Sequence, residues 1–204
     1  MKLKNIYLLI LLSFGFVIQA QVSFRPGVRA GLNLSKFTDT HNDFKSDFFV
    51  GIVEEIKLKK HYSLQPEITY SRQGARNVTF DNSSYYGNEA SQMEFGTINV
   101  NYLSVGIINK LIFVKGFHAL IGPSFDFLVE NNLIAVNQDF DVSINAGLGI
   151  STDSGLTIDC RVKKGFGDVL DSSHYGYNDF INLPNSNLVV QFGATYTFDL
   201  KNKK

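Results

Sequence analysis

Read two residues at a time, the chain places Arg29, Glu55, Lys57, Glu67, Lys110, His118, Asp159, Arg161 and Lys163 on one side of a series of extended segments, because successive strand side chains face opposite ways. Charges of both signs gathered on one face support two chemistries. Paired, they neutralise one another, which burial demands because an unpartnered buried charge costs on the order of several kcal/mol. Left poised, they relay protons or hold a ligand, and both kinds of network perturb titrating groups. The composition favours pairing, since Arg29, Arg161 and Lys110 can neutralise Glu55, Glu67 and Asp159.

His118 and Asp126 share that face and are the residue types of a hydrolytic acid-base couple. Their spacing argues against it, because eight residues of strand span about 26 Å, far beyond hydrogen-bond reach. No Gly-x-Ser-x-Gly nucleophile elbow is present. No enzyme and no cofactor is therefore expected. A second group lies between the extended segments: Tyr85 and Tyr86, then Asp168, Asp171, His174, Tyr175, Tyr177 and Asp179. Aromatic and acidic loops can grip a sugar, a cation or a partner protein, or can simply form a rim whose rings settle among lipid headgroups. The acids lack the spacing of an EF-hand.

The elements that must position these residues are strands. Residues 62–74 alternate most clearly, with Tyr62, Leu64, Pro66, Ile68 and Tyr70 against Ser63, Gln65, Glu67, Thr69 and Ser71. Similar alternation runs near 24–35, 47–58, 99–112, 117–130, 139–151, 156–163 and 187–198, giving eight segments in all. Glu54 interrupts the apolar face of the second. The connections alternate between short, at 59–61, 114–116 and 152–155, and long, at 36–46, 75–97, 131–138 and 165–186. An even number of antiparallel strands with short turns at one end and long polar loops at the other is the layout of an all-β, eight-stranded, up-and-down transmembrane β-barrel.

The N-terminus fits that destination. Lys2 and Lys4 precede an apolar run from Ile6 to Ile18 and then Gln19-Ala20-Gln21, the pattern of a secretory signal peptide cut after Ala20. Residues 1–20 are thus expected to be removed and 21–204 to form one domain. Of 19 Lys and Arg, removal of Lys2 and Lys4 leaves 17 against 19 Asp and Glu, so nucleic acid is not an expected partner. Cys160 is the only cysteine, which excludes an internal disulfide and reads best as a small apolar residue on a strand face.

Alternation alone does not say which face is wet, since a soluble barrel has the same period. The non-apolar face decides it. Gly31, Gly51, Gly106, Gly122, Gly147, Gly149 and Gly193 all fall there among Ser, Asn and Thr, as suits a crowded interior. The other face is almost unbroken Leu, Ile, Val and Phe, a severe aggregation hazard in water. The oil therefore lies outside. Pro66 and Pro123 fall inside strands and cannot donate to a ladder, so a bulge or local break is expected at each, more strongly at Pro123.

Several stretches resemble a known family. Leu64-Gln-Pro-Glu-Ile-Thr-Tyr-Ser-Arg-Gln-Gly-Ala, Gly27-Val-Arg-Ala-Gly-Leu-Asn-Leu-Ser, Asn101-Tyr-Leu-Ser-Val, Ile121-Gly-Pro and Cys160-Arg-Val-Lys-Lys-Gly-Phe together look like the PorT-like outer-membrane β-barrel family of Bacteroidetes-type bacteria. The resemblance implies an eight-stranded outer-membrane barrel, and one member is associated with type IX secretion. Ser104 and Gly106 stand where that family usually carries Glu and Pro, and Asp199 to Lys204 follow the last strand aromatic, Phe198. The resulting expectation is a monomeric barrel in outer-membrane lipid that acts structurally or through its loops on an envelope partner, and is not an open pore. An accessory part in a type IX-like secretion system is the alternative, and a small outer-membrane hydrolase the third reading.

Overall fold

A computed structural model describes residues 23–38, 41–81, 93–114, 116–132, 139–169 and 185–199. Eight strands follow in order: β1 Ser23–Phe37, β2 Asp43–Lys59, β3 Tyr62–Asp81, β4 Met93–Ile112, β5 Phe117–Asn131, β6 Phe140–Ser151, β7 Leu156–Gly165 and β8 Asn187–Thr197. Each pairs antiparallel with the next, and β8 pairs with β1 to close a barrel. The short turns all lie at one end, which outer-membrane barrels direct to the periplasm.

The faces divide as the alternation predicts. Leu32 and Ile52 on the outer wall are 61% and 60% exposed, whereas the largest fully buried side chains inside are those of Arg29 and Arg161, each 1% exposed. This inverts a soluble core: the apolar surface is solvated by acyl chains and the charged residues are withdrawn from them. Cys160 faces outward and is exposed, beside Ile158 and Val162 on the same side of β7.

Two connections are shorter than the sequence suggests. β3 and β4 run 20 residues each, so 75–81 and 93–97 belong to strands rather than to a 75–97 loop, and β2 begins at Asp43 rather than near 47. The cause is a pair of irregularities that hide the two-residue period. The β3–β4 register shifts between Ala75 and Val78, where Gly74 (φ 134°) and Asn77 (φ 53°) take conformations open to few residues, and β2–β3 pairing shifts between Phe44 and Phe49. A bilayer crossing takes about 9–11 tilted residues, so the upper halves of β3 and β4 stand above the membrane.

A local break marks each proline, as expected, but it is no stronger at Pro123. Pairing of β2 with β3 lapses at Glu54 and Glu55 opposite Pro66 and Gln65, then resumes at Ile56–Leu64 in the same register. Pairing of β4 with β5 lapses in the same way at Ile107 and Ile108 opposite Pro123 and Gly122. Each gap is local, neither is a bulge, and Pro123 is no more disrupted than Pro66. On their other sides Pro66–Ile107 and Pro123–Ile144 pair without interruption. An antiparallel residue turns its N and C=O toward one neighbour only, so a missing N–H weakens one ladder and spares the other.

Inside the extracellular end, Phe37, Ala75, Val78, Ile98, Val100, Tyr102 and Val169 form a buried cluster, with Leu128 packed against it. Five of these lie on the strand ends that the sequence hides or on the segment after β7.

Candidate functional site

The lumen below this cluster is crossed by a chain of ion pairs. Arg29 on β1 donates twice to Asp159 on β7, from Nη1 to Oδ2 at 2.5 Å and from Nη2 to Oδ1 at 2.9 Å. Its guanidinium also lies 4.9 Å from the centre of the Phe49 ring. Arg161, two residues beyond Asp159 and so on the same face of β7, donates from Nε to Asp159 Oδ1 at 2.9 Å. Its Nη1 reaches across to Glu67 on β3, at 3.1 and 3.0 Å from the two carboxylate oxygens. Gln65 completes the chain, its Nε2 donating to Glu67 Oε2 at 3.1 Å.

Two basic and two acidic side chains are thus joined from β1 through β7 to β3. The planar fork of Arg suits this because it can serve two carboxylates at once with fixed geometry. All four residues are buried, with Glu67 the most exposed at 8%. Such a cluster adds little net stability over an apolar filling, but removal of one member strands a charge and costs roughly 3–5 kcal/mol.

Two further pairs bracket the chain. Lys110 Nζ donates to Glu55 at 3.0 Å and to Ser151 Oγ at 2.9 Å. Lys163 Nζ donates to Asp126 at 2.6 Å and to Ser104 Oγ at 3.0 Å, while Ser143 Oγ donates to the other Asp126 oxygen. Toward the extracellular side, Asn33 donates to Ser71 Oγ at 3.0 Å and accepts from Gln191 at 2.9 Å.

Of the residues singled out from the sequence, Arg29, Glu55, Glu67, Lys110, Asp159 and Arg161 therefore meet in the lumen. Lys57 does not join them. It lines a polar recess of about 280 Å³ at the periplasmic mouth, with Arg25, Lys60, Lys110, Glu55 and Asp153 among its neighbours, and makes no ion pair among the described residues. His118 and Asp126 are not brought together: the histidine Nδ1 pairs with Gly116 O at 2.7 Å, and Asp126 is occupied by Lys163 and Ser143. Tyr85, Tyr86, Asp171, His174, Tyr175 and Tyr177 lie outside the described residues. No cluster of His, Cys, Asp and Glu suited to a metal occurs among the described residues.

Sequence reasoning missed two kinds of participant. Gln65, Ser104, Ser143 and Ser151 are neutral and drew no attention as ligands, although alternation already put the first three on the inward face. Lys45, paired with Asp47 at 2.6 Å near the extracellular end, falls in the part of β2 hidden by its irregular pairing.

The class these features define is an outer-membrane β-barrel with a filled interior. Residues 19–171 match the family described as outer membrane protein beta-barrel domain, and the chain belongs to that family. Its place is the outer membrane. No curated protein matches the sequence. Among solved structures, the attachment invasion locus protein of Yersinia pestis is similar at 11% identity and a TM-score of 0.47, covering 86% of this chain and 99% of that one. Neisserial surface protein A is similar at 11% identity and 0.48, covering 87% and 99%, and OprG from Pseudomonas aeruginosa at 12% and 0.48, covering 89% and 99%.

Proposed function

We propose that the protein is a closed, monomeric outer-membrane barrel that acts through what it displays at the cell surface, as a structural or interaction protein, and that it reaches the membrane after cleavage of residues 1–20. The observation that carries this reading is the crossing of the lumen by Arg29, Asp159, Arg161 and Glu67. A barrel so filled offers no path through its centre, so an outside partner must meet the loops or the wall. The loops that hold Tyr85, Tyr86, Asp171, His174, Tyr175 and Tyr177 are the candidate contact regions. The test is cross-linking on intact cells with the natural protein and with versions shortened at 82–92 and 170–184. Shortened barrels should insert normally and lose the captured envelope partner; undiminished capture would count against the reading.

The resemblance of the Gln65-Pro66-Glu67 strand and its companions to PorT-like proteins supports a second reading, an accessory part in a type IX-like secretion apparatus. A deletion strain separates the two. Loss of secreted cargo with an intact envelope would favour secretion.

A further inference from the structure

The outer wall of β3, β4 and β5 carries a polar cleft of about 260 Å³, lined by Tyr70, Arg72, Asn99, Asn101, Glu130, Asn131 and Asn132. Arg72, Asn101 and Glu130 stand in one cross-strand row, and the row of Tyr70, Leu103 and Phe127 lies just beneath. Leu103 and Phe127 belong to the exposed apolar belt. The cleft therefore opens at the upper edge of that belt, about ten residues above the turn that starts β3, the length of one bilayer crossing. A register shift between Asn101 and Tyr102 forms the depression.

Asn101 is the reason to read this cleft as a site. Its side chain is only 5% exposed, and its Nδ2 donates to Glu130 Oε2 at 2.8 Å, which fixes the orientation of the amide. The amide oxygen, Oδ1, is buried with no donor. A buried acceptor without a partner carries a desolvation cost that a donor from outside would relieve. The walls around it are held in place. Asn132 is tied at both ends of its amide, accepting from Asn99 N at 2.7 Å and donating to Thr97 O at 3.0 Å. Arg72 rests on Asp47 at 3.3 Å and 5.5 Å from the centre of the Phe48 ring, with N–H donors left over.

From this we infer that the cleft binds one sugar ring of a glycolipid headgroup in the outer leaflet. Each hydroxyl of a sugar both donates and accepts, which matches a lining that alternates an unpaired acceptor, an Arg donor and a carboxylate beside the Tyr70 ring. Glu130 disfavours a simple anion and Arg72 a simple cation, and the volume holds about one ring. Continuity with the lipid-facing row of Leu103 and Phe127 selects a sugar carried on acyl chains over a free one. The site lies on the wall rather than on the loops, so it stands or falls separately from the loop-mediated reading.

The test uses the whole barrel in nanodiscs of phosphatidylethanolamine with and without lipopolysaccharide, with bound glycolipid counted by native mass spectrometry. Asn101→Leu keeps the size and removes the acceptor; Arg72→Gln is a second, more exposed change. Retention of one glycolipid by the natural protein, lowered about tenfold in each variant, is expected from the loss of a hydrogen bond at a desolvated site. Equal retention by natural protein and both folded variants would overturn the inference. So would capture of delipidated core oligosaccharide as tightly as the whole glycolipid.

Discussion

Gly193 makes the space that Arg29 occupies: a methyl group at residue 193 would stand 2.7 Å from Nη2 and 2.9 Å from Cζ of that guanidinium. Arg29 cannot swing aside, because Asp159 holds both of its Nη atoms and Phe49 lies alongside. The inward glycines thus make room for the charged side chains that share their face. Gly193→Ala should lower stability by about 1–3 kcal/mol, the usual range for forcing volume into a packed interior. Gly106→Ala, whose added carbon would come no nearer than 3.3 Å, to Glu67 Cγ, should cost less. Urea unfolding of the two variants in lipid vesicles checks the order, and a larger loss at residue 106 would contradict it.

Arg161 is the hub of the lumen, touching Asp159 and Glu67 from one side chain. Arg161→Met should destabilise the barrel by roughly 3–5 kcal/mol because Glu67 is left buried with only Gln65 beside it. Adding Glu67→Leu to that variant should restore part of the loss, since Asp159 keeps Arg29 as its partner. The same unfolding measurement, run as a double-mutant cycle, reads the coupling. Strict additivity of the two changes would show that the pair is not energetically linked.

How much of this was readable in the sequence differs with the type of relation. Face assignment was readable because the strand period is two, so Arg29, Glu67 and Asp159 could be put inside without knowing the fold. Neighbouring register was readable where a short turn fixes it: Lys110 opposite Leu120 and Ser104 opposite Asp126 follow from the turn at 114–116. Partners across the lumen were not readable as pairs. Arg29 and Asp159 are 130 residues apart on strands that do not adjoin, and only closure of the barrel with its particular stagger sets their heights. The part of the apolar cluster formed by Ala75, Val78 and Ile98 was hidden for another reason. Irregular pairing near Gly74 and Asn77 breaks the alternation that would have exposed it.

Cys160 offers a direct check on which face meets lipid. It points outward at the middle of the ten-residue strand β7, between Ile158 and Val162. A charged maleimide should leave it unmodified in intact vesicles and label it once the barrel is unfolded in urea. Rapid labelling in intact vesicles would place this face in water and overturn the inside-out assignment.

The strongest consequence of the filled lumen is that the barrel should not conduct. Eight strands enclose a space only just wide enough for side chains to fill. Here the filling is layered: Lys110 with Glu55 toward the periplasm, then Arg29, Asp159, Arg161 and Glu67, then Lys163 with Asp126, and Phe37, Ile98, Val100 and Val169 at the extracellular end. Each of these ion-paired layers contains its own counter-charge, and buried Asp141, opposite Asp126, is held by the backbone N–H groups of Phe166 and Gly167. The apolar layer adds a stretch that water has little reason to wet. Loosening one layer should therefore leave the barrel closed. Glu67→Gln keeps the size of the side chain and the other layers intact, so it should be as silent in planar-bilayer recordings as the natural protein. Steady, ion-selective currents from refolded natural protein would overturn the closed lumen, and their loss in Glu67→Gln would recast the ion-pair chain as a conduction path.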